Sequence, residues 1–267
     1  MKSFLNFSRN IFRSQYLIRN LVVRELKARY VGSFLGIFWT IIHPVIQIGI
    51  YYFIFSVILK LRAGGAYDNV GFGVWMISGM LPWLYLSETI NRSPGTILSN
   101  TNLITKTVFP SEILPLIQLI AALVNHALAM CFFIIILLLS GYTFSYQFLW
   151  VFPIIIISGT MALGLSWIFS SLNVFLRDIG HLVSVFTQFW FFLTPIIYPI
   201  SAVPATYQPF CYWNPLFQIA EGYRAALLGN AGVDWLGMGY LLNSAIIIAI
   251  IGGIVFRKLK PAFPDVL

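Results

Sequence analysis

Charge is scarce in this chain. Only 9% of residues are Asp, Glu, Lys or Arg, against roughly 25% in an ordinary soluble domain, while hydrophobic residues make up 59%. That imbalance excludes a soluble globular protein, and the 267 residues divide more naturally into membrane spans of about 20 residues each. Cysteine is almost missing as well. Cys131 and Cys211 lack the pair spacing of a metal or redox site and read as packing residues. His43, His126 and His181 are scattered, with no H-E-x-x-H arrangement; a lone His in such a chain is expected to be hydrogen-bonded within the bundle. Glu88 is the one acid near membrane depth, and solvation at a helix end accounts for it. Ion-coupled transport and membrane catalysis need converging acids, bases or His, and such groups are nearly absent. The dipeptide Gly-Lys does not occur, so there is no G-x-x-x-x-G-K-[ST] phosphate loop. Any active transport must draw its energy from a partner.

What the chain does have is long uncharged stretches: 31–59, 69–87, 113–176, 179–220 and 235–256. The third is too long for one helix, and Ser140-Gly-Tyr-Thr-Phe-Ser-Tyr-Gln147 supplies the turn residues that divide it. The fourth is broken by Pro195, Pro199, Pro204, Pro209 and Pro215, which leaves one span and an irregular segment after it. The expected fold is an all-α integral membrane protein with six transmembrane helices, at about 34–59, 70–88, 113–139, 148–172, 182–198 and 236–256.

Basic residues support that parity. With six crossings and both termini cytoplasmic, 13 of the 16 Lys and Arg residues fall inside, and only Lys60, Arg62 and Arg224 fall outside, as the positive-inside rule requires. The net charge of +8 therefore reports orientation and contact with anionic lipid, not nucleic-acid binding. Residues 1–30 carry seven basic residues without an apolar core or a small-residue cleavage site, so they are not expected to be a cleaved signal. On a helical wheel Arg13, Asn20, Arg24 and Lys27 share one stripe opposite Ile11, Ile18, Val22 and Leu26. Arg19 and Arg29 break the pattern. The segment is expected to be an amphipathic helix at the cytoplasmic interface.

Four stretches carry a resemblance. Arg24-Glu-Leu-Lys-Ala-Arg-Tyr-Val-Gly-Ser-Phe-Leu-Gly-Ile-Phe-Trp39 with Pro44, Asn173-Val-Phe-Leu-Arg-Asp-Ile179, Trp213-Asn-Pro-Leu216 with Gly222-Tyr-Arg224, and Phe256-Arg-Lys-Leu-Lys-Pro-Ala-Phe-Pro-Asp265 resemble, in this order, segments of the type 2 ABC exporter permeases that move polysaccharides such as O-antigen, capsule and teichoic acid. Where related tails often carry Ala before the Asp, this chain has Pro264. The resemblance implies a half-transporter in the bacterial inner membrane. A second copy completes the pathway, a separate cytoplasmic ATPase holds the ATP and Mg, and no cofactor is expected on this chain. It also implies short re-entrant helices on the outer face within 199–235, a lipid-linked polysaccharide as cargo, and docking on the ATPase through the N-terminal helix and the connection 91–111. Arg24, Arg92 and Lys106 are the expected coupling residues.

Aromatic residues bear on the cargo. They form 17% of the chain; interfacial belts account for many, and rings within helices offer sliding faces and hydroxyl or indole donors to a sugar chain. Trp39, Tyr52, Trp83 and Tyr198 are the expected lining residues. Gly32 with Gly36, and Ser166 with Ser170, are small pairs that permit close helix approach. Two other functional classes stay open: a permease of this architecture exporting a drug or lipid, and a polytopic enzyme acting on a lipid-linked sugar. The missing acid–base cluster argues against the enzyme.

Overall fold

In hydrocarbon every backbone N–H and C=O must find a partner within the protein, and an apolar helix satisfies them segment by segment. The computed structural model describes residues 15–29, 33–106, 109–142, 144–229 and 231–267, and at positions 37, 40, 41 and 43 it describes the backbone alone. Among these residues the chain is helical, without strands. In order the helices are α1 (Gln15–Ala28), α2 (Trp39–Tyr52, continued by a π-helical turn Phe53–Ile58), α3 (Phe72–Arg92), α4 (Gly95–Leu98), α5 (Thr101–Lys106) and α6 (Ile113–Leu139). There follow α7 (Val151–Phe175), α8 (Ile179–Leu193), α9 (Gln208–Tyr212), α10 (Pro215–Leu228), α11 (Trp235–Leu259) and α12 (Phe263–Val266). The first fourteen residues, Tyr30 and Gly32 lie outside the described residues, so Arg13 and Ile11 of the expected amphipathic helix and the Gly32–Gly36 pair lie outside as well.

Among the described residues three helical stretches are long and apolar enough to cross a membrane: Ile113–Leu139, Tyr146–Phe175 and Trp235–Val266. Two shorter apolar ones are Pro44–Ile58 and Ile179–Leu193. The ends of these helices have local causes. At the end of α6, Gly141 takes φ 78°, and the Tyr142 and Gly141 amides donate to Leu137 O and Leu138 O, the left-handed ending that glycine permits. After α8, Thr194 turns extended because Pro195 disfavours helical backbone in the residue before it. The helix therefore stops at Leu193, short of the expected span end at 198. Asn214 starts α10 by accepting from the Leu216 amide at 3.0 Å, with Pro215 at the first helical position.

Buried side chains concentrate on α3 and α10. Trp75, Met76, Met80, Leu81, Tyr85 and Leu86 sit in one core with Leu216, Ile219 and Tyr223 of α10 and Met161 and Ala162 of α7. The crossing of α7 with α11 is backbone on backbone. A Cβ at Gly252 would come within 2.2 Å of Gly164 O, and one at Gly164 within 2.7 Å of the Ala249 backbone. Ser166 and Ser170, the expected small pair, are both fully buried on α7. In contrast α2 and α8 expose apolar faces, among them Val45, Ile50 and Val57, and Val185, Phe189 and Leu193.

Candidate translocation path and coupling surface

Seven rings form a ladder across four helices. Ring centroids run from Phe169 to Phe186 (6.4 Å), Phe186 to Trp190 (5.4 Å), Trp190 to Trp83 (6.3 Å), Trp83 to Phe191 (5.4 Å), Phe191 to Tyr51 (5.5 Å) and Tyr51 to Phe55 (6.5 Å). Helical geometry builds it. Phe186 and Trp190 are four residues apart and so share one face of α8, as Tyr51 and Phe55 share one face at the end of α2. Trp83 and Phe191 are stacked at 26°, and both are buried. A surface of offset rings offers dispersion and CH–ring contacts without fixed charge.

The four expected lining residues end up in different places. Trp83 is a rung of the ladder. Trp39, partly exposed, lines a recess with Gln47 and Tyr51 and so reaches the ladder through Tyr51. Tyr52 does not join it, because adjacent helix residues point about 100° apart. Its ring leans on Gly73, where a Cβ would meet it at 2.7 Å, and it lines an apolar groove of about 590 Å³ between α2, α3 and α6. Tyr198 lies beyond α8, its hydroxyl donating to Phe192 O at 2.7 Å. Tyr51, Trp190 and Phe191 were not among the expected lining residues.

At the arginine-rich end of the bundle, specific bonds join four segments. Arg24 of α1 donates to Asn100 Oδ1, between α4 and α5, at 2.6 Å. Asn173, at the end of α7, donates to Pro94 O at 2.9 Å and accepts from the Gly180 amide at 3.1 Å. Lys260 pairs with Glu112, and Phe263 is buried against Phe256 and Phe175. Thus α1, the connection 91–111, the 173–180 connection and the C-terminal tail form one surface. Arg92 lies 3.6 Å from Glu88 with its side chain 45% exposed, and Lys106 is exposed at the end of α5.

Glu88 needs a different account from helix-end solvation. Its carboxylate takes a hydrogen bond from Arg29 and others from Asn125 of α6 at 3.0 and 3.2 Å, and Arg29 also reaches Gln118 at 3.5 Å. The Arg29 side chain is only 3% exposed. That explains why it broke the polar stripe of α1: it points into the bundle, while Leu17, Ile18, Val22 and Leu26 pack on Ile113, Leu114 and Ile117 of α6. A polar recess of about 500 Å³ opens here, lined by Trp39, Gln47, Glu88, Asn91, Arg92 and Asn125. His126 is buried, its Nε2 3.0 Å from the Tyr223 hydroxyl, the hydrogen-bonded packing role expected of it. Among the described residues no three His, Cys, Asp or Glu side chains gather as a metal site.

At the opposite end a cavity of about 330 Å³ is lined by Tyr67, Trp75, Tyr212, Glu221 and Asp234. Burial pushes the Tyr67 phenol up, with the Glu221 carboxylate adding to the effect and Arg224 opposing it. Arg224, one of the three basic residues expected on the outer side, is a fully buried side chain of α10.

Comparison with known proteins agrees with this architecture. The ABC-2 type transporter family matches residues 16–228. The O-antigen export system permease protein RfbA of Klebsiella pneumoniae is 30% identical over 256 residues, covering 94% of this chain and 96% of that one. RfbA of Myxococcus xanthus is 31% identical over 221 residues, 81% of this chain and 82% of its own. The polysialic acid transport protein KpsM of Escherichia coli is 23% identical over 249 residues, 92% and 94% respectively. With most of its length matched and its helices apolar enough for the membrane, the chain belongs to the ABC-2 type transporter family.

Proposed function

We propose that this chain is the permease subunit of an ATP-driven exporter that moves a lipid-linked polysaccharide, such as an O-antigen chain, outward across the bacterial inner membrane. The end-to-end similarity to O-antigen export permeases carries the reading. In this reading the six crossings are α2 with its π-helical extension, α3, α6, α7, α8 and α11. Both termini are cytoplasmic, α1 lies along the inner interface, and α9 and α10 are re-entrant on the outer face. The length of α10 supports that: 14 residues reach about 21 Å, short of the roughly 30 Å of hydrocarbon. Non-helical backbone after α8 is acceptable at depth because protein covers it, and Thr194, Ile196 and Ile197 are all fully buried.

A second copy covers the exposed apolar faces of α2 and α8, and the pathway runs between the two copies. Trp39, Tyr52, Trp83 and Tyr198 contact the cargo. A cytoplasmic ATPase dimer, which holds the ATP and Mg, docks on the surface that contains Arg24, Arg92 and Lys106. The test is reconstitution of the permease with its ATPase and a short lipid-linked glycan in vesicles. Glycan should reach the far leaflet only when both proteins and ATP are present. Movement that ignores ATP, or that the ATPase supports without this chain, sinks the proposal.

A further inference from the structure

A buried guanidinium is tolerated only where its charge and its five N–H donors are matched, and Arg224 is matched from three directions. Its Nη2 donates to Ile196 O at 2.6 Å, Nη1 donates to Pro195 O at 3.1 Å and to the Glu221 carboxylate, and Nε points at Trp75 O at 3.4 Å. The guanidinium carbon stands 3.7 Å from the centroid of the Trp75 ring, a cation–π contact. The acceptors belong to separate elements: Trp75 to α3, Pro195 and Ile196 to the non-helical run after α8, and Glu221 to α10 itself.

α3 makes room for this side chain with a glycine. A Cβ at Gly79 would lie 2.6 Å from Arg224 Nη2 and 2.9 Å from Cζ, so the guanidinium occupies a notch that any larger residue would fill. A second tie lies at the start of α10. Asn214 accepts from Trp190 Nε1 at 2.9 Å and donates to Thr194 Oγ1 at 2.7 Å. Ten residues separate Asn214 from Arg224, about 15 Å along a helix, so two distant residues of the 214–228 stretch are both fastened to the end of α8 and the residues just after it. Trp190 is also a rung of the ring ladder.

We propose that Arg224 is a positioning residue for transport: seated in the Gly79 notch, it holds α3, α10 and the chain after α8 in one register, so that the outer end of the path moves as a single body. This rests on the export reading above. Lysine cannot replace it, since one ammonium does not fork to carbonyls on separate elements.

The permease assembled with its ATPase tests this in five variants: R224K, R224M, R224A, G79A and G79A/R224A. Three quantities are read per assembled complex: ATP hydrolysis, glycan export, and hydrogen exchange of α10 and α11. R224M and G79A should hydrolyse ATP within about twofold of the parent while export falls about tenfold, a loss of the size that misplaced geometry produces. Exchange should rise across α10 and stay unchanged in α11. R224K should export more nearly as R224M does than as the parent does. G79A should add nothing to R224A, because the group it displaces is already gone. The inference is overturned by R224M or G79A exporting at the parental rate, by hydrolysis falling in step with export, or by the G79A and R224A effects simply adding. Should R224M fail to assemble, G79A and R224K decide by the same comparison. A parental complex that moves no glycan fails the export reading instead, and the exchange and double-variant comparisons still judge Arg224.

Discussion

Arg29, just past the end of α1, donates to the Glu88 carboxylate of α3, and Asn125 of α6 donates to the same carboxylate. One acid therefore gathers three elements where sequence alone suggested a solvated helix end. The position of α1 on the bundle is set by this half-buried ion pair as much as by its apolar face.

Removing one partner of a buried pair leaves the other charge uncompensated. Glu88→Ala should lower stability by about 3 kcal/mol, the lower end for such a change, because Arg29 keeps Gln118 at 3.5 Å and Glu25 at 3.7 Å. Thermal unfolding of the purified protein in lipid nanodiscs checks this. The double variant R29M/E88M should recover most of the loss; a double variant as unstable as Glu88→Ala contradicts the pairing.

Topology is open to labelling. In a background lacking Cys131 and Cys211, single cysteines at Ala66, Tyr142 and Ala231 should react with impermeant reagent from outside the cell. One at Thr101 should not, nor should one in the C-terminal tail, given 13 basic residues against 3 on the two sides. Labelling at Thr101 from outside inverts the assignment.

Energy coupling should be external to the chain. Purified alone, the permease should hydrolyse no ATP above a mock preparation. Reversing charge at Arg24, Arg92 or Lys106 should weaken ATPase binding or separate hydrolysis from export, through mismatched partner charges. Arg24 should show the larger effect on assembly, since reversal also breaks its bond to Asn100. Export at the parental level with all three reversed removes them from the coupling surface.

The rings can be sorted by burial. Trp83→Ala, at a 5% exposed position, should cost about 3–5 kcal/mol through the cavity it leaves and lower the amount of folded protein. Trp39→Ala, at a 44% exposed position, should leave folding nearly intact and slow export per folded molecule. Surface glycan measured beside permease level separates the two effects, with Tyr52→Ala and Tyr198→Ala alongside. Normal export per folded molecule in all four places the cargo path elsewhere.

Much of this protein follows from local chemistry. The dearth of charge and the uncharged stretches determined its class, and the end of α6 was legible at Ser140-Gly141, whereas the span expected to reach 198 ends at Leu193, before Pro195. The family resemblance was carried by short segments, and the structure packs two of them side by side, with Phe263 against Phe175. The hydrophobic stripe of α1 was visible too, and of its two exceptions Arg29 is buried against Glu88 while Arg19 is exposed.

Orientation and pairing across the bundle were decided only by tertiary structure. Tyr51 and Tyr52 are the same residue type in adjacent positions, and only packing determines that Tyr51 meets Phe191 while Tyr52 meets Gly73. Arg224 reads as one of three basic residues on the outer side, and only packing brings it to Trp75, 149 residues away. A sequence displays the donors, but the acceptors that make a buried charge tolerable are mostly backbone carbonyls. Every residue has a carbonyl, so none stands out until the helices have packed.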